Sequence, residues 1–159
     1  MFQSGKLDKD ITIAGPIIAS LQVSTSGTDA DWVVKLIDVF PDDSLGVARS
    51  GVPIGGYQML VRGDVIRGKF RNSSSKPEPL VPNEVTKVEF ELRDLFHRFK
   101  KGHRIMVQIQ STWFPLVDRN PQKFVNIRTA KESDFQKATH RVYHSPEHAS
   151  HVKVLLWGN

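Results

Sequence analysis

ASLQVSTSGTDADWVVKLIDVF, residues 19–40, reads as two strands and the turn between them. Ala19, Leu21 and Val23 alternate with Ser20, Gln22 and Ser24, the period of two that a half-buried strand requires. TSGTD (25–29) supplies turn formers. WVVKLIDVF (32–40) is then apolar on both faces except at Lys35 and Asp38, which predicts a strand in the middle of a sheet. The alternation recurs further along. Thr86, Val88, Phe90 and Leu92 alternate with Val85, Lys87, Glu89 and Glu91, and Ile105, Val107 and Ile109 with Met106, Gln108 and Gln110. Val152, Val154 and Leu156 repeat it near the end. PDDSLG (41–46), RNSSSKPEP (71–79) and KKGH (100–103) punctuate these runs as turns. Residues 72–83 read as an exposed loop rather than a domain boundary, and only KESDFQKATH (131–140) has a helical look. Many short strands joined by polar turns predict an all-β fold: a jelly-roll β-sandwich of galactose-binding-like type with one short helix, residues 1–159 forming one domain.

Composition agrees with that size. At 159 residues with 39% hydrophobic and 25% charged residues, the chain can bury one core and little more. No apolar run approaches the roughly 20 residues that cross a bilayer, so a membrane is not an expected partner. MFQSGKLDKD has no apolar region of signal-peptide type and would suit a fragment of a longer chain. Zero cysteines exclude a disulfide framework, a cysteine zinc site and a thiol nucleophile.

The net charge of +5 is uneven. Residues 1–60 carry four Lys/Arg against seven Asp/Glu, or −3, and residues 61–159 carry eighteen against ten, or +8. No recognition helix or aromatic stacking motif accompanies the basic part, so nucleic acid is not an expected partner either. Arg62-Gly63-Asp64 reads as a coincidental triplet at a strand edge.

The residues that could carry chemistry do not assemble into a known catalytic pattern. There is no Gly-x-Ser-x-Gly elbow, no Walker loop, and GVPIGG (51–56) is too short for a dinucleotide fingerprint. His144-Ser-Pro-Glu-His148 fits the inverted zincin spacing, which needs both histidines on one helical face. Pro146 argues against that helix, so no metal site is expected there. His97 and His103 lack a nucleophile to serve. Asp29 and Asp31 fall on one side of an extended chain and could hold calcium or an ammonium group, but turn capping is the better reading. Asp42 and Asp43 follow Pro41 as an ordinary turn.

Four stretches taken together carry a resemblance: GPIIASLQVSTSGTDADWVVKLIDVFPD (15–42), MLVRGDVIRGKFRNS (59–73), FKKGHRIMVQIQSTWFPLVDRNPQ (99–122) and HSPEHASHVKV (144–154). They resemble the C-terminal domain of the X-Pro dipeptidyl-peptidase/cocaine esterase (CocE/NonD) family of serine hydrolases. The form QMLVRGD with its long Lys-Pro-Glu-Pro loop is most similar to the α-amino acid ester hydrolases and the glutaryl-7-aminocephalosporanic acid acylases. The resemblance implies a non-catalytic jelly roll packed on an α/β-hydrolase domain of the same polypeptide, which would hold the whole Ser-Asp-His triad. No cofactor and no catalytic residue are implied for this chain. The implied parent is a bacterial ester or amide hydrolase, periplasmic or secreted, and a homo-oligomer is left open.

A domain of this kind can wall a substrate cleft without supplying a catalytic group. Its contacting loops should carry aromatic and glycine residues, which points to Gly55, Gly56 and Tyr57 in one loop and to Trp113 and Phe114 in another. The run Asp118-Arg119-Asn120-Pro121 is implied to be a structural signature of the jelly roll, fixing the chain as it leaves a core strand. The alternative is a carbohydrate-binding module, which would lay Trp32, Trp113 or Trp157 flat on its surface.

Overall fold

The computed structural model describes residues 1–43 and 51–158, so Ser44 to Gly46 of the PDDSLG turn lie outside the described residues. Among the described residues nine strands form in order: β1 (Phe2–Gln3), β2 (Ile11–Thr25), β3 (Asp31–Val39), β4 (Gln58–Arg67), β5 (Thr86–Phe99), β6 (Arg104–Gln110), β7 (His140–Ser145), β8 (His148–Ala149) and β9 (His151–Lys153). One antiparallel sheet runs β1-β6-β3-β4 and the other β5-β2-β7-β8, with β9 also paired to β2. The two sheets face each other as a sandwich, the all-β architecture the alternation predicts.

β3 lies between β6 and β4, as its two-sided apolar sequence requires. Trp32, Val34 and Leu36 enter the core between the sheets. Ile37 and Val39 instead join Met106 in a small buried cluster, so the outer side of this sheet is covered too. From β2 come Ala19, Leu21 and Val23, which meet Val88 and Leu92 of β5 in the main core. At about 25 cal/mol per Å² of apolar surface, this shared burial supplies most of what holds the sheets together.

β5 keeps its face only through a bulge. Pro16 pairs with Asp94 but Ile18 pairs with Glu91, leaving one extra residue on β5, and Arg93 sits there with φ 61°. Even-numbered Val88 and Leu92 point inward before the bulge, and odd-numbered Phe99 points inward after it.

Two local expectations are corrected. KESDFQKATH forms no α-helix: a single 3-10 turn spans Glu132–Asp134, and the chain then extends. Asp134 accepts from the Lys131 amide and closes the turn, while the Gln136 amide donates to Pro121 C=O and draws the chain away. The 72–83 loop is exposed as expected except at Leu80, which is buried in the main core and tied there by its amide to Thr28 C=O at 2.9 Å.

The two long edges of the sandwich differ. At the β4/β5 edge the Arg62 guanidinium donates to Asp94 C=O, and Asp64 lies 3.7 Å from Arg93. The Arg-Gly-Asp triplet therefore bridges the sheets. At the opposite edge, between β1/β6 and β7/β9, a cleft of about 290 Å³ opens between the sheets.

Candidate functional site

The segment after β6 and the turn before β4 carry the residues singled out in the sequence, and buried polar contacts fix the first of them. Asp31 accepts from Asn120 Nδ2 at 2.7 Å and from Arg67 at 3.1 Å. Asn120 in turn accepts from the Gln122 amide at 2.8 Å. Beside them, Asp29 accepts from the amides of Ala30 at 2.9 Å and Lys69 at 3.2 Å, and the Lys69 ammonium lies 3.6 Å from its second oxygen. Lys69 Nζ also donates to Val125 C=O at 2.8 Å. Desolvation pushes the Asp31 carboxyl up from 3.8 to about 6, against the opposing pull of the Asn120 hydrogen bond and the Arg67 charge.

Protein groups thus hold both aspartates, although the second, buried oxygen of Asp29 has only the Lys69 charge and no hydrogen bond. Asp29 caps backbone amides as the sequence predicts, whereas Asp31 anchors the segment carrying Asn120. Among the described residues no cluster of His, Cys, Asp and Glu could hold a metal ion. His144 and His148 lie on the paired strands β7 and β8, with Ser145 opposite His148, so the helix an inverted zincin needs is absent from this stretch.

Asn120 and Pro121 are buried, while Asp118 and Arg119 are exposed. Arg119 lies over the Phe135 ring at 5.2 Å, and Asp118 borders a cleft with Arg67, Lys69 and Arg128. The signature stretch is therefore a surface in its first half and an anchor in its second.

Trp113 is half-buried with the Lys35 ammonium 4.6 Å from its ring centroid. It lies so close to Gly63 of β4 that a Cβ there would stand 3.0 Å from the indole. The next apolar residues turn outward: Phe114 is 64% exposed and Leu116 70%. The backbone between them is held by the Val117 amide, which donates to Trp113 C=O at 3.0 Å.

Tyr57 is exposed and meets Phe40 edge-on at 5.8 Å. Gly55 and Gly56 pack on the Asp42 turn, Gly55 so tightly against the Asp42 carbonyl that no side chain fits, and Gly56 with φ 67°. The structure does not bring Tyr57 and Trp113 together. Tyr57 precedes β4, whereas Trp113 packs at Gly63, about 17–20 Å further along at the usual strand rise.

A further group escapes a reading of the sequence. Asp38 accepts from or pairs with His103 Nδ1 at 2.7 Å and His97 Nε2 at 3.0 Å, joining β3 to β5 and to the turn before β6. The signal was Asp38 itself, a carboxylate inside an otherwise apolar strand, which requires a partner when buried. Of the tryptophans, Trp32 is buried, Trp113 is taken up by Lys35 and Gly63, and Trp157 is exposed.

Comparison with known proteins follows the same outline. Residues 1–153 match the model of the X-Pro dipeptidyl-peptidase C-terminal non-catalytic domain. The chain is 30% identical over 150 residues to the cocaine esterase of Rhodococcus sp. (strain MB1 Bresler), a match covering 94% of this chain and 24% of that one. Among solved structures it is similar to an α-amino acid ester hydrolase, with 47% identity, a TM-score of 0.91 and coverage of 98% and 25%. An aminopeptidase from the marine sediment archaeon Thaumarchaeota archaeon gives 42% identity, a TM-score of 0.91 and coverage of 99% and 25%. A CocE/NonD family hydrolase from Staphylococcus aureus shares the fold at 20% identity and a TM-score of 0.66. The chain spans about a quarter of the length of the first three of these proteins. By sequence and by fold, the chain belongs to the X-Pro dipeptidyl-peptidase C-terminal non-catalytic domain family.

Proposed function

We propose that residues 1–159 act as the non-catalytic jelly roll of a longer serine hydrolase of the ester- or amide-cleaving type, and that the segment from Trp113 to Phe135 docks on its α/β-hydrolase domain. The single observation that carries this is the pairing of outward apolar side chains with a buried polar anchor. Phe114 and Leu116 project into solvent from a segment that Asn120 and Asp31 pin to the sheet. A flexible loop would collapse such side chains onto its own domain, whereas a pinned one presents them as a preformed contact. Aromatic residues and arginine are the types enriched at the centres of such contacts, and Arg119, Phe135 and Phe114 supply them here.

In this reading Tyr57, Gly55 and Gly56 form a second, separate contact at the end of the sandwich. The domain then contributes shape and water exclusion, and the acyl-transfer groups lie on the hydrolase domain. The carbohydrate reading has less support, because two of the three tryptophans are occupied within the fold and, among the described residues, no aromatic ring pairs with the third.

The test is the native size of the protein in an extract of its source, read by immunoblot with an antibody against this domain. A band several times heavier than 18.0 kDa is expected. A band at 18.0 kDa would overturn the reading.

A further inference from the structure

We infer that the open edge of β6 is the seat of one more strand, an extended segment with alternating apolar side chains contributed by the rest of the longer polypeptide, whose inward residues fill the cleft between the sheets. The inference rests on the reading that this domain is carried within such a polypeptide.

The direction of the backbone groups identifies the free edge. Ser4 donates its amide to Ile105 C=O and Leu7 donates to His103 C=O, both at 2.9 Å. Odd-numbered residues of this stretch therefore turn their N–H and C=O away from β3, as an antiparallel strand alternates them. β3 takes the other side along the whole of β6, from Val39 opposite Arg104 to Val33 opposite Gln110. On the outer side β1 pairs only at Met106 and Val107. Ile109 is the next outward-facing residue, and among the described residues no strand lies opposite it.

An unpaired edge of this kind is what an incoming strand recognises through its backbone. The β4/β5 edge is bridged by Arg62, Asp64, Arg93 and Asp94, and among the described residues the β6 edge has no comparable cover beyond Phe2.

Behind that edge the core is incomplete. Leu21, Val107, Ile109 and Val152, all part of or packed against the main core, line the cleft of about 290 Å³. Phe2 meets His144 edge-on at 6.0 Å and spans the mouth at one end, while Ile109 lines the cleft beyond it. A strand continuing the line of β1 past Val107 would place every second side chain over Ile109 and Val152. The occupant is taken from the same polypeptide because β1 already begins this pairing and because similar proteins are about four times as long as this chain. Its inward positions should be medium-sized apolar residues, matching a lining that is mostly aliphatic.

The experiment is hydrogen exchange resolved to single amides on the native-length protein, with the 159-residue chain as reference. The Ile109 amide is expected to exchange near the free rate in the reference and roughly 100-fold or more slowly in the native-length protein, independently of protein concentration. Protection that grows with concentration would identify a second copy as the strand and overturn the proposal, as would protection already present in the reference. A native-length protein several times heavier than 18.0 kDa whose Ile109 amide still exchanges freely overturns this inference and leaves the hydrolase reading standing. A native protein of 18.0 kDa overturns both.

Discussion

Asp31 concentrates the energetics of the docking segment in one carboxylate. Asn120 is its neutral donor, and truncating Asn120 to Ala leaves a buried acceptor with one partner fewer. The expected cost is about 1–3 kcal/mol, read as a fall in the urea midpoint at pH 7. Asp31 also makes stability depend on pH. Its folded value of about 6 lies above the ordinary 3.8, so between these values the folded chain binds more protons than the unfolded chain. Stability therefore falls as pH rises from about 4 to 6, by about 3 kcal/mol in all, and stays at that level above. His140 acts in the opposite sense. Burial holds its imidazole below 6.5, so stability falls as pH drops below that value and the unfolded chain takes up the proton. Urea titrations across pH 4–7 separate the two: Asp31→Asn should remove the decline with rising pH, and His140→Gln should make it steeper. An Asp31→Asn profile parallel to that of the unaltered chain would show that another group carries the dependence.

At the scale of elements, the outer side of β3 and β4 decides where Trp113 sits. Gly63 is opposite Lys35, and the indole fills the space its missing side chain leaves. Gly63→Val should push Trp113 off the sheet, shift its fluorescence to longer wavelength and destabilise the domain by about 1–3 kcal/mol. Unchanged emission would mean that Lys35 alone holds the ring. Alternation made most strands legible, including the central place of β3. It could not reveal the β5 bulge, because Arg93 is an ordinary residue in sequence and adopts φ 61° only under the pairing of Pro16 and Ile18 with their partners. The 131–140 stretch misread for a related reason. Its polar residues have helical propensity, but an isolated turn this short is marginal, and contacts to Pro121 and Lys123 drew it out into an extended path.

For the whole molecule, the sandwich divides its surfaces. The outer side of β5 carries Lys87, Glu89 and Glu91, with Lys87 and Glu89 paired at 3.0 Å, and reads as solvated. The side holding Trp113 to Phe135 presents exposed apolar groups on a fixed backbone. Phe114→Asp together with Leu116→Asp should therefore leave the stability of the 159-residue chain within about 0.5 kcal/mol, since neither side chain is buried. In the native-length protein the same pair should loosen the domains, seen as a second, separate thermal transition. A single cooperative transition retained in that variant would remove this segment from the interface.

The sequence by itself determined the all-β class, the central strand, the family and the lack of an internal nucleophile elbow, because period-two alternation and short motifs are local properties of the chain. It also singled out Trp113 and Phe114 as contact candidates and the Asp118-to-Pro121 run as a structural signature. Only the tertiary structure decided that Asn120 is the anchor of that run and Asp31 its partner, and that Asp38 holds two histidines. Those facts depend on residues 59–89 positions apart in sequence meeting across strands. Such meetings are set by register and by a bulge, and a pattern of apolar and polar letters encodes which face a residue takes but not which residue it will meet there.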